Sequence, residues 1–144
     1  MKQLIPALLL VAALAPAKSL KLSDLPPALR QAVTENAKGG EIKTITSEKE
    51  KGVTQYEVET MLNGKHRDFD IDQKGKLLLV EEEVALDSVP AAVKTAITKK
   101  VATGKLERVE AVTAGAKTTW EAAYTTAKGK KLEFQLSADG VAVK

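Results

Sequence analysis

The sequence predicts an α+β fold made of two tandem units, and three observations lead to that reading. The chain matches itself at a fixed shift, each copy opens with a helical apolar period, and each continues with strand alternation punctuated by glycine turns. Shifted by 64, Leu25-Pro26-Pro27-Ala28-Leu29-Arg30-Gln31-Ala32-Val33 falls on Val89-Pro90-Ala91-Ala92-Val93-Lys94-Thr95-Ala96-Ile97. Gly40 meets Gly104, Ile42 meets Leu106, Ile45 meets Val109 and Tyr56 meets Trp120. One extra residue in the second copy then makes the shift 65, so that Gly64 meets Gly129, Phe69 meets Phe134 and Gly75 meets Gly140.

The helices come first in each copy. Ser23/Asp24 and Asp87/Ser88 are N-cap candidates, each followed by proline where a first turn has no N–H partner to lose. Leu25, Leu29, Ala32 and Val33 recur at helical spacing, as do Val89, Val93, Ala96 and Ile97. Gly39-Gly40 and Gly104 supply the stops.

The remainder of each copy alternates. Tyr56, Val58 and Thr60 interleave with Glu57 and Glu59, and beyond Asn63-Gly64, a two-residue hairpin signal, Phe69 and Ile71 interleave with Asp68, Asp70 and Asp72. A Lys74-Gly75 turn leads to Leu77-Leu78-Leu79-Val80, where alternation would place two aliphatics on the polar side and so predicts burial on both faces or a partner surface. The second copy repeats the scheme with Trp120, Ala122 and Tyr124, then Leu132, Phe134 and Leu136, then Val141 and Val143. Each unit is thus expected to pack one helix on an antiparallel sheet of about four strands. Tyr56 and Trp120 are expected as equivalent buried core residues.

The N-terminus carries an address. Met1-Lys2 precedes an apolar run from Leu4 to Leu14, broken only by Pro6, and Ala15-Pro16-Ala17 has the small-x-small pattern of a signal-peptidase site. The run is too short for a bilayer core of about 30 Å. The expected organisation is a signal peptide over 1–17, a first unit over 18–84 and a second over 85–144, with a periplasmic or secreted location and no membrane span in the mature chain.

Composition excludes several function classes. There is no cysteine, hence no disulfide, thiolate metal site or thiol nucleophile. The net charge of +3 and 3% aromatics lack the basic, aromatic-interleaved surface of a nucleic-acid binder. The charge is uneven: residues 18–83 hold 11 basic and 13 acidic side chains, residues 84–144 hold 10 and 6.

The opening Leu-Pro or Val-Pro of each helix, the glycine, the aliphatic pair, the aromatic-bearing strand and the Asp72-to-Lys76 turn together resemble the PepSY-like family. More narrowly, the chain is similar to its tandem exported group related to beta-lactamase inhibitory protein, over residues 23–144. The resemblance implies an exported, non-catalytic module associated with inhibiting or regulating secreted enzymes. It brings no catalytic residue and no cofactor.

Candidate chemistry is sparse. Asp70-x-Asp72-x-Lys74-Gly75-x5-Glu81 matches calcium-loop spacing at four positions, but Lys74 stands where a ligand oxygen belongs and strands flank it, so a β-turn is expected. His66, the single histidine, has no companion ligands or triad partners in sequence and reads as an exposed residue beside the hairpin turn. A glycosidase-like acid pair would need a deep sugar-lined cleft that two thin α+β layers leave little room for. The Asn63-Gly64 turn makes cross-strand residue numbers sum to 127, setting Glu59 across from Asp68 and Glu57 across from Asp70, while the next turn sets Glu81 beside Asp68 and Leu79 beside Asp70. Like charges directly opposite cost about 0.2–1 kcal/mol per pair. Glu57, Glu59, Asp68, Asp70 and Glu81 are therefore the expected partner-binding face, with a protein, a secreted or periplasmic enzyme, as the expected partner. On that arithmetic, replacing Glu59 and Asp68 together by Lys and Thr is expected to stabilise the fold. The alternative function is an envelope metal- or small-ligand-binding protein using the same acids.

Overall fold

The computed structural model describes residues 18–50 and 52–143, so the signal-peptide reading over 1–17 lies outside the described residues. Among the described residues, two α-helices and eight β-strands make an α+β fold. These elements divide into two compact units. One comprises residues 18–83 with 111–117, and the other residues 84–110 with 118–143.

In the first unit, β1 (Lys18–Ser19), β2 (Glu41–Glu50), β3 (Val53–Leu62), β4 (Lys65–Asp72) and β5 (Leu77–Glu83) lie side by side in chain order, with α1 (Pro27–Ala37) between β1 and β2 in sequence. The pairs β1–β2, β2–β3, β3–β4 and β4–β5 are all antiparallel. The two-residue β1 pairs Lys18 with Ser47 and has no apolar alternation that could announce it. Leu25, Leu29, Val33 and Ala37, spaced along one side of the helical segment, pack on Ile45, Val58, Phe69 and Ile71 from the strands. Burying a side chain such as Val33 or Ile71 fully contributes about 1.5–3 kcal/mol. Tyr56 packs against the rim of this core and is half-buried rather than fully buried.

The helix begins differently from the sequence expectation. Pro26 occupies the N-cap with no side-chain hydrogen bond, and Leu22–Asp24 form a separate 3₁₀ turn. Asp24 serves that turn instead, its carboxylate accepting the Lys21 backbone N–H at 2.9 Å. Proline fixes its own φ and keeps the preceding residue extended, so the two prolines restart the chain after Asp24 instead of letting Asp24 cap α1. The C-terminus closes on Lys38 in the left-handed region (φ 52°), followed by Gly39 (φ 82°).

The second unit holds α2 (Ala91–Val101), β6 (Lys105–Ala114, through Glu110), β7 (Lys117–Thr125, from Thr118) and β8 (Lys131–Leu136), with β7–β8 again antiparallel. Val89, Val93 and Ile97 pack on Val109, Ala122, Tyr124, Phe134 and Leu136, with Tyr124 and Phe134 edge-to-face at 5.7 Å. Trp120, like Tyr56, is half-buried against its core. Pro90 again takes the N-cap after a 3₁₀ turn over Leu86–Ser88, so neither Asp87 nor Ser88 caps α2. The strand expected over Val141 and Val143 shrinks to one bridge, Leu136 to Ala142, and Val141 is 59% exposed.

Of the two readings of Leu77–Val80, burial on both faces does not hold. Leu77 is 40% exposed and Leu78, Leu79 and Val80 are half-buried, so none of the four is enclosed on both faces. Among the described residues, no helix is long and apolar enough to cross a membrane.

Candidate functional site

The acidic face is a consequence of two turns. Asn63 (φ 54°) and Gly64 (φ 77°) both sit in the left-handed region, as a type I′ hairpin requires, and that turn fixes the β3–β4 register. Tyr56 then pairs with Ile71, Glu57 with Asp70, Val58 with Phe69 and Met61 with His66. Because side chains alternate, Val58, Thr60, Arg67, Phe69 and Ile71 are buried on the helix side, while Glu57 and Glu59 are exposed and Asp68 and Asp70 half-buried on the other. The β4–β5 pairing brings half-buried Glu81 beside Asp68 and Leu79 beside Asp70. The structure thus places Glu57, Glu59, Asp68, Asp70 and Glu81 on one strand surface.

Their environments are not equal. Asp70 is pushed up to about 7, first by burial and then by the negative charges of Glu57, Glu48 and Asp68. Burial, then Glu48, Glu59 and Asp68, also raise Glu57, against a hydrogen bond donated by Thr46 Oγ1 to Glu57 Oε2 at 3.3 Å. Asp68 also holds the backbone: its Oδ1 accepts the Thr60 backbone N–H at 2.9 Å. Asp68→Thr would remove that acceptor, so the gain expected for the Glu59/Asp68 double replacement is offset by a lost hydrogen bond.

Glu48 belongs to this face and escaped the sequence reading. It lies on β2 across from Gln55, next to the Thr46–Glu57 pair. Only Ile42 and Ile45 advertised β2 in the sequence, and its polar second half carries no apolar alternation to announce that it continues to Glu50.

The calcium-loop spacing resolves into a turn. Asp72 Oδ1 accepts the backbone N–H groups of Lys74 (2.8 Å) and Lys76 (2.9 Å), and the Gly75 N–H bonds the Asp72 carbonyl at 2.9 Å. The carboxylate is held below its usual range by those bonds. The turn at Ser137–Val141 is built alike, with Gly140 N–H on the Ser137 carbonyl at 2.9 Å. His66 is half-buried rather than exposed, and its backbone N–H donates to the Glu83 carboxylate at 3.0 Å. A shallow concavity on α1, lined by Pro27, Arg30, Gln31, Thr34 and Glu35, offers one carboxylate, and Gln31 Nε2 hydrogen-bonds it at 2.7 Å. That is not the facing acid pair glycoside hydrolysis needs.

In the second unit, Glu121 occupies the position of Glu57, with Gln135 directly opposite and Glu133 opposite Ala123. Burial, Glu133 and Glu110 push Glu121 up to about 7, moderated by Arg108. Glu110 is 2% exposed and ion-paired through its Oε1 to Arg108 Nε at 2.9 Å. The Tyr56–Trp120 match already sets Glu121 on Glu57, but no signal in the sequence marked Glu110, since β6 reads as an ordinary mixed strand.

Comparison with known proteins agrees with this architecture. Residues 28–76 match the PepSY family, described as peptidase propeptide and YPEB domain. No curated protein matches the chain. A solved structure of a candidate periplasmic protein from Bacteroides eggerthii DSM 20697 is 16% identical with a TM-score of 0.65, over 83% of this chain and 86% of that one. A DUF2874 family protein from Bacteroides uniformis ATCC 8492 is 15% identical with a TM-score of 0.62, over 83% and 86%. A BLIP-like protein from Bacteroides fragilis NCTC 9343 is 21% identical with a TM-score of 0.54, over 83% and 85%. At these identities the likeness is one of fold.

Proposed function

We propose, from the premise that this chain carries a PepSY domain over residues 28–76, that it is an exported, non-catalytic binding protein which restrains or regulates a secreted or periplasmic enzyme. The docking surface is the acidic strand face of the first unit: Glu57, Glu59, Asp68, Asp70 and Glu81. One observation carries this reading. Glu57 and Asp70 are set directly opposite each other, with Glu48 beside them, at a cost to the isolated fold. A concentrated negative surface steers and orients a basic partner. The fold shared with a BLIP-like protein and with a candidate periplasmic protein supports the inhibitor-type role and the periplasmic or secreted location.

The same reading takes the mature chain to begin at Lys18 and its two units to be tandem copies. Repeated backbone contacts support the duplication. A Cβ on Gly75 would meet Ala32 Cβ at 2.9 Å, with the Ala28 carbonyl oxygen at 3.7 Å, and one on Gly140 would meet the carbonyl oxygen of Ala92, the counterpart of Ala28, at 2.6 Å.

The test is isolation of the partner from a periplasmic or secreted fraction on the immobilised protein, followed by assay of that partner. Reduced activity of the captured enzyme on adding the protein is expected. Unchanged activity would remove the regulatory role, and saturable calcium binding without protein capture would favour the metal-binding alternative.

A further inference from the structure

Asp70 is enclosed by its own kind. Glu57 stands directly across from it on β3, with Glu59 two residues further along, and Glu48 lies beyond them on β2. Along β4, Asp68 flanks it on one side, and on the other Asp72 is turned into its own backbone hydrogen bonds. From β5 the opposite residue is Leu79, which brings no charge, and Glu81 lies two residues on. The remaining segment of the unit, 111–117, contributes one charged residue, exposed Lys117. The charges that bear on Asp70 are all negative.

Two carboxylates held opposite each other cannot both ionise cheaply, and interacting acids titrate as a pair rather than as individuals. We infer that Glu57 and Asp70, held opposite each other across β3 and β4, titrate as one coupled carboxyl pair that gives up its two protons in separate steps, a pH-sensitive device setting the charge of this strand face. Glu57, the more exposed member, takes the first negative charge. Asp70, between that charge and Leu79, keeps the proton. Raising the pH above neutral then adds one negative charge at the centre of the face, and lowering it takes that charge away. The position of Asp70 near 7, with burial as its first cause, agrees with this assignment.

The proton site is a property of the free protein. Only its consequence, tighter capture of a basic partner at higher pH, rests on the docking reading above. The experiment follows the side-chain carboxyl carbon shifts of Glu57 and Asp70 by NMR in the intact protein, from about pH 4 to about pH 9. The expected result is two separate steps shared by both residues, the upper one near neutral pH. In Asp70→Asn the neutral step should vanish and Glu57 should titrate in one step, still raised by burial and by Glu48, Glu59 and Asp68. In Glu57→Gln, which keeps the half-buried acid, the Asp70 midpoint should fall. Complete ionisation of both carboxyls below about pH 5.5, or a neutral step unmoved in Glu57→Gln, would overturn the coupled pair. Neither result touches the docking reading, which fails only if charge changes on the face leave partner capture unaltered.

Discussion

Gly104 lies against the backbone carbonyl of Thr125, so close that a Cβ added to it would stand 2.6 Å from that oxygen. Gly40 lies against the carbonyl of Met61 in the same way, at 3.0 Å. In each unit the chain leaving the helix passes directly over the end of a strand, and only a residue without a side chain fits. Neither glycine has a positive φ, so the constraint is space rather than backbone conformation. Gly104→Ala should therefore destabilise by about 1–3 kcal/mol, the usual range for overpacking against an unyielding neighbour. Urea denaturation checks this. Gly40→Ala should cost less, its contact being looser.

The core of the first unit rests on Phe69 more than on Tyr56. Phe69 is 1% exposed among Ile45, Val58 and Ile71, whereas Tyr56 sits at the rim. Phe69→Ala should cost about 3–5 kcal/mol. Tyr56→Ala and Trp120→Ala should each cost less than that, and Trp120 fluorescence should show partial rather than complete shielding from quencher.

Arg67 is a structural cation. It is 4% exposed, lies 5.8 Å over the Phe69 ring, pairs with Glu82 at 3.0 Å and donates through Nη1 to the Asn36 carbonyl near the end of α1. Arg67→Met keeps the bulk and removes both bonds, so a loss of about 1.5–3 kcal/mol is expected from thermal or urea unfolding. Glu82→Gln should cost much less, because Glu82 is about half exposed and water can replace it.

Folding stability should fall as pH rises towards neutral. A carboxyl that binds its proton more tightly folded than unfolded contributes stability that is fully present below its unfolded pKa and lost as pH climbs through its folded value. Asp70 and Glu121 both lie near 7 when folded, from ordinary values of 3.8 and 4.5. The urea midpoint of the wild type should accordingly drop between about pH 4 and about pH 7 and level off above. Asp70→Asn combined with Glu121→Gln should flatten that slope. An equal slope in the double variant would mean that other groups carry the pH dependence.

Much of this architecture was legible in the sequence, and what was not has physical reasons. Helix cores such as Leu29 and Val33, and the β3–β4 register, follow from apolar period and from Asn63-Gly64, both local signals. Arg67 was illegible because His66-Arg67-Asp68 looks uniformly polar; only the register shows that Arg67 shares a face with Phe69 and Ile71. Glu48 is placed by the pairing of β2 with β3 and the two-residue β1 by its pairing with β2, non-local contacts with no sequence period. Prolines overrode the N-cap residues, since fixed φ at Pro26 and Pro90 outweighs one side-chain hydrogen bond. The acids of the face follow from hairpin arithmetic, but the division of labour among them, with Asp68 bound to Thr60 and Asp70 beside Leu79, emerges only in the folded chain.

The docking role proposed for the exposed acids of the first unit is read most directly by capture of the secreted or periplasmic partner by wild type and by Glu57→Lys/Glu59→Lys, at low and physiological salt. Both side chains are exposed, and reversing them relieves like-charge crowding, so the variant should fold at least as stably as wild type. Wild-type capture should weaken with salt, because steering by a charged face is screened over about 8–10 Å at physiological ionic strength, and the variant should lose both capture and salt sensitivity. A folded variant that captured the partner as tightly as wild type would contradict the account.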